Sequence, residues 1–215
     1  MIAVPSIRAI GLTLLLFLVV YAPASAIAAL LRLQLAAAVP FTILFTFVAA
    51  CLLIRWQAIR RQERLADYGF SLPAPRYLVF AVIVSAPISI VVALLLSSAH
   101  EPGPLAGLQL SAWLVVLYFV VGAPVQEEVI FRGLLQTTLA HRSTLPAAPR
   151  ATSAVAASLW VAVLFGAIHL VVGPYTAVAA FVLGAVAGEF RRRSGSLIPA
   201  IICHAFFNLG GILWG

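Results

Sequence analysis

Residues 10–31 read IGLTLLLFLVVYAPASAIAALL, 22 positions without a charged side chain, bounded by Arg8 and Arg32. A helix needs roughly 20 apolar residues to cross the hydrocarbon core of a bilayer. This stretch therefore reads as a membrane span, and the rest of the chain repeats the pattern. Further apolar runs lie at Leu33–Ile54, Tyr77–Ser98, Leu108–Leu139, Ala151–Val172, Tyr175–Phe190 and Leu197–Trp214. The run at Leu108–Leu139 is too long for one simple span, and Gly122 and Pro124 are expected to break or kink it. Ala24-Ser25-Ala26 resembles a signal-peptidase site. The apolar stretch continues past it, which favours a retained span over a cleaved signal.

Composition agrees. Of 215 residues, 64% are hydrophobic and 9% are charged, with a mean hydropathy of +1.14. A soluble domain is about 45–50% apolar and about 25% charged. An ordinary soluble enzyme, a disordered chain, a coiled coil and a disulfide-built scaffold are all excluded. The expectation is an all-α, polytopic membrane bundle of about seven transmembrane helices. It forms a single membrane domain over residues 1–215, with N-terminal spans in 1–107 and a functional core in 108–215. Cys51 and Cys203 both sit inside apolar runs, as small buried hydrophobes rather than half-cystines.

The net charge is +7, and all thirteen basic residues are arginine. They form short clusters between apolar runs, a topology signal rather than a nucleic-acid patch; no nucleic-acid partner is expected. With the N-terminus in the cytoplasm, the inner segments hold Arg8, five arginines of Arg55–Arg76, Arg142, Arg150 and Arg191–Arg193. Arg132 lies near the inner end of the fourth span, and Arg32 alone falls outside. This asymmetry predicts a multi-pass plasma-membrane protein with a cytoplasmic N-terminus.

A charge within a span costs roughly 2.5–3.5 kcal/mol on insertion scales, so such residues are functional candidates. Glu127 and Glu128 lie side by side in the fourth span, and Arg132 follows four residues after Glu128. His169 falls in the fifth span and His204 in the seventh, where Asn208, the only asparagine, follows four residues later. Residues four apart share a helix face, whereas adjacent ones diverge by about 100°. Glu128 and Arg132 are thus placed to pair, Glu127 points elsewhere, and Phe165 can pack on the His169 ring. The simplest arrangement turns Glu127, His169, His204 and Asn208 toward one cavity.

A carboxylate and an imidazole flanking one water make a general-base pair. A second histidine and an amide suit the oxyanion of an attacked carbonyl. Glu128 and Arg132 then support the site. This set points to amide hydrolysis inside the bilayer, in its cytoplasmic half. Cys203 adjoins His204 and so diverges from it, which argues against a thiol mechanism. Glu127, His169 and His204 could alternatively hold Zn2+ with a water in the fourth position. A proton-relay transporter built on Glu127 and Glu128 lacks the expected inverted repeat. His100 and His141 read as solvated loop residues, and Glu189 as a surface neighbour of Arg191–Arg193. Trp56, Trp113, Trp160 and Trp214 read as interface anchors or packing. Gly184 and Gly188 read as a close helix contact.

Glu127-Glu128-Val129-Ile130-Phe131-Arg132 matches an EExxxR motif, Phe165-Gly166-Ala167-Ile168-His169 matches FxxxH, and His204-Ala205-Phe206-Phe207-Asn208 matches HxxxN. In this order, on three spans, they resemble the CPBP family of CAAX proteases and bacteriocin-processing enzymes, also called the ABI family, which includes the type II CAAX prenyl endopeptidases. The resemblance covers roughly Leu108–Trp214. It implies an intramembrane endopeptidase acting on a peptide or membrane-protein substrate in the lipid bilayer. Glu127 resembles the catalytic glutamate that activates water with His169, and His204 and Asn208 resemble the oxyanion pair. Glu128 and Arg132 match the remaining motif positions, and the resemblance implies a glutamate-activated water with no obligatory metal cofactor. A non-catalytic immunity or scaffold protein is the alternative reading.

Overall fold

The computed structural model describes residues 5–98, 110–142 and 150–214. Among them the chain is helical, with no strand. The helices are α1 (Ile7–Leu30), α2 (Leu35–Arg61), α3 (Pro75–Ser98), α4 (112–142), α5 (Arg150–Ile168), α6 (Pro174–Ser194) and α7 (Ile198–Trp214). The all-α bundle read from the sequence is the fold. Five helices, α1 to α5, are long and apolar enough to cross a membrane; α7 is apolar but shorter. The boundary expected at 107/108, the loop carrying His100, the loop 143–149 and the Trp214 side chain lie outside the described residues.

α4 is the axis of the bundle. It touches α1, α2, α5, α6 and α7, while α3 packs along α7 and α5 along α6. All eight residues of Val129–Gln136 are buried. By contrast, the most apolar windows of α1 and α2 are only 22% and 17% buried, so Leu14, Leu15, Leu18, Leu44 and Leu52 face outward. Such a surface suits lipid rather than water. The core runs from Leu16 and Val20 through Ile54, Phe131, Leu134 and Leu135 to Phe165 and Cys203. Both cysteines are free. Val20 and Ala24 are fully buried, so the expected cleavage-like stretch is part of the packed bundle.

Of the break or kink expected at Gly122 and Pro124, the break does not occur. α4 stays helical by widening into π-type turns at Val116–Gly122 and Val129–Gln136, on either side of an α-helical turn, Ala123–Glu128. A wider register tolerates a residue without an N–H. A second correction concerns the polar segment Arg55–Arg76. Its first part, through Arg61, continues α2, and only 62–74 leaves it.

That loop folds back under the bundle. The Ser71 hydroxyl donates to Gly195 O at 2.9 Å, and the Ser196 hydroxyl donates to Ser71 O at 2.6 Å. Arg191 donates to Asp67 O at 2.8 Å. Gly69 has φ +95°, and a Cβ there would meet Arg191 Nε at 2.7 Å and Leu197 Cγ at 2.8 Å. Glycine is therefore required on both conformational and steric grounds. His141, expected in a solvated loop, sits instead in the last turn of α4, where its Nδ1 accepts from Arg61 at 2.6 Å. The ends of α2, α4 and α6 thus gather with the start of α3 into one arginine-rich end.

Candidate active site

Glu127 and Glu128 end the α-helical turn between the two π-type stretches of α4, and their neighbours diverge as a helix demands. Glu128 is fully buried, and one of its oxygens, Oε1, accepts from Arg132 at 3.0 Å and from His204 Nδ1 at 2.8 Å. The Arg132 guanidinium, also fully buried, donates onward to Gly184 O of α6 at 3.0 Å. It lies 4.9 Å from the Phe165 ring centroid and 5.8 Å from that of Phe131. A buried ion pair is sustained only when extra hydrogen bonds and good geometry offset desolvation. The α6 carbonyl, His204 and the two rings supply part of this, while Glu128 Oε2 and Arg132 Nε have no hydrogen-bond partner.

Gly184 makes that contact possible. A Cβ there would stand 3.1 Å from Ala162 Cα and 3.3 Å from the Arg132 guanidinium. One turn along, Gln136 donates to Gly188 O at 3.2 Å. A Cβ at Gly188 would lie 2.3 Å from Ser158 Oγ. The close helix contact expected of Gly184 and Gly188 is present, and it serves two α4 side chains as well as packing.

His204 bridges the adjacent glutamates. Its Nδ1 faces Glu128, and its Nε2 lies 3.8 Å from Glu127 Oε2. That Glu127 oxygen is buried yet has no hydrogen-bond partner. The Glu127 side chain as a whole keeps 21% of its surface, the most of these four residues. Glu128 Oε2 is likewise buried without a partner, but its side chain keeps no exposed surface, so of the two acids only Glu127 has a path to the outside.

His169 begins the single 3₁₀ turn that ends α5. Its Nδ1 is 2.7 Å from Phe165 O. A carbonyl only accepts, so Nδ1 carries the hydrogen and Nε2 is left as a basic nitrogen. No ion pair or hydrogen bond joins His169 to Glu127 among the described residues. The link between the two histidines is Phe165. Its ring centroid lies 4.7 Å from that of His169 and 5.8 Å from that of His204. The structure brings Glu127, Glu128, Arg132 and His204 into one cluster and holds His169 against it through this shared ring.

Asn208 makes an interhelical hydrogen bond to the α4 backbone. In the wide register the Ala123 N–H reaches Tyr118 O. The next carbonyl, Phe119 O, then falls opposite Pro124, which has no N–H to give. Asn208 Nδ2 fills the gap at 2.7 Å. The second hydrogen of that amide, and its oxygen, are not used by this bond.

Two further side chains were missed. Gln126, immediately before Glu127, donates to the Tyr21 hydroxyl of α1 at 2.9 Å. The Glu127 charge acts on that same hydroxyl. Gln126 and Gln136 were legible by the cost argument applied to charges, since an amide in a span is also expensive; Tyr21 gave no such signal. Among the described residues no three His, Cys, Asp or Glu side chains gather as a metal ion requires, so Glu127, His169 and His204 do not form a ligand set.

Comparison with known families gives one match. Residues 109–210 match the family described as Type II CAAX prenyl endopeptidase Rce1-like. The match spans α4 to α7 and contains all three motifs. No curated protein and no solved structure matches the chain.

Proposed function

From the Rce1-like domain carried by residues 109–210, we propose that this multi-pass membrane protein is an endopeptidase. It hydrolyses a peptide bond of a membrane-associated peptide or protein with a water activated by Glu127. The observation that carries the proposal is the unpartnered Glu127 Oε2 beside His204 on a side chain that keeps 21% of its surface; Glu128 Oε2 is unpartnered too, but on a side chain that keeps none. A buried polar atom without a partner is expensive, and a substrate water would satisfy it.

In this reading Glu127 takes a proton from water, and the basic Nε2 of His169 holds that water from the other side. The hydroxide adds to the scissile carbonyl. His204, whose Nδ1 donates to Glu128, turns Nε2 toward the oxyanion and donates to it when that nitrogen carries a hydrogen, and the spare Asn208 N–H assists. Glu127 then returns its proton to the leaving amine. Glu128 fixes His204, and Arg132 fixes Glu128. No step runs through a metal. A groove of about 390 Å³ between α2 and α4 extends to Gln126, next to Glu127, and gives a peptide a route from the lipid. The arginine-rich end faces the cytoplasm, with the N-terminus and the working half of the site on that side.

The test compares membrane peptides from cells carrying the wild type, Glu127→Ala or Glu127→Gln, by mass spectrometry. Peptides that accumulate only with intact Glu127 are the expected result. Identical peptide sets would overturn the proposal, and a biological effect retained by Glu127→Gln would favour a binding or immunity role.

A further inference from the structure

Away from the site, a groove of about 700 Å³ runs between α3 and α6. α3 follows α7 closely and touches α6 less, which leaves the slot. α3 lines it with Arg76, Phe80 and Val84, each four residues from the next, and α6 with Val186, Phe190 and Arg193. Ser71 and Ser196 bind each other's segments, so the start of α3 and the end of α6 lie at the same level. The groove is therefore polar at one end and apolar at the other. From Arg76 to Val84 the helix rises about 12 Å, and every groove residue beyond the first turn is apolar on the α3 side.

The polar end carries excess positive charge. Glu189 is the one acid lining the groove, and it is held by Arg192 at 2.7 and 2.6 Å and also by Arg193. The Arg76 guanidinium has no carboxylate partner among the described residues and lies 5.1 Å from the Tyr77 ring centroid. Three guanidinium groups thus stand against one carboxylate.

We infer that this groove is a binding site for an anionic phospholipid of the leaflet at the arginine-rich end. The phosphate lies between Arg76 and Arg193, and an acyl chain runs along Phe80, Val84, Val186 and Phe190. Charge complementarity selects the headgroup, because basic side chains at the membrane surface attract anionic lipid. The concave apolar slot, rather than a flat helix face, retains the chain. The site does not depend on the peptidase reading, since it shares no residue with the α4–α5–α7 cluster.

The test uses the full chain in a neutral detergent. It is incubated with phosphatidylglycerol or phosphatidylcholine of identical acyl chains, and bound lipid is counted by native mass spectrometry. Phosphatidylglycerol should be retained about tenfold over phosphatidylcholine. Arg76→Ala should remove most of that preference and Arg76→Lys should keep it; Arg76 is exposed and unpaired, so both variants should fold. Val84→Trp should fill the apolar part and lower retention of both lipids. Equal retention of the two lipids overturns the inference, as does unchanged retention in Arg76→Ala and Val84→Trp. Displacement of the lipid by free glycerol phosphate at similar concentration also overturns it, by showing a site for the anion alone.

Discussion

Adjacent glutamates with opposite burdens offer a sharp test. Glu128→Ala leaves the Arg132 guanidinium buried without its carboxylate and strips His204 Nδ1 of its acceptor. Breaking a buried ion pair by removing one partner costs about 3–5 kcal/mol. For a chain of this size, about 2–4 °C per kcal/mol puts the melting point roughly 6–20 °C lower. Glu127→Ala removes a carboxylate with a buried, unpartnered oxygen and one near neighbour at 3.8 Å. Its melting point should stay within about 2 °C of wild type or rise, because an unsatisfied buried atom is lost. The assay follows labelling of Cys203, 3% exposed in the fold, by a thiol-reactive dye during heating, in a Cys51→Ala background. The double variant Glu128→Ala/Arg132→Ala should recover part of the loss, since no orphan charge remains. Equal losses for the two single variants would refute the division of labour between them.

Gly184→Ala should lower stability by about 1–3 kcal/mol, because its methyl would force α6 away from Ala162 and from Arg132; an unchanged melting temperature counts against the contact. Tyr21→Phe removes the acceptor of Gln126 and should cost about 1 kcal/mol together with a several-fold fall in peptide cleavage, whereas unaltered cleavage would leave Tyr21 a purely structural partner. Treatment with a strong chelator should leave cleavage unchanged, since Glu127, His169 and His204 do not gather as ligands; loss of activity restored by Zn2+ would reinstate the metal alternative.

What was legible in the sequence followed local rules. Spans announce themselves by length and apolarity, and Glu128 with Arg132 by a spacing of four. The divergence of Glu127 follows from the same geometry. Tertiary choices left no such trace. Nothing local says that His204 binds Glu128 rather than Glu127, or that one Phe165 ring touches both histidines. Pro124 was a true signal: an interior proline argued for a broken or kinked helix, and the chain avoids the break by changing register. His141 was misplaced because α4 outlasts its apolar run and carries its last turn into the polar end.

The wide turn before Glu127 has one more implication. Asn208 acts as a strut for a distorted helix, so its amide is not free to be tuned for the proposed chemistry alone. Replacing Pro124 with alanine would hand Phe119 a backbone donor of its own and cut the strut loose. Any drift in α4 would then stop reaching α7 through that amide.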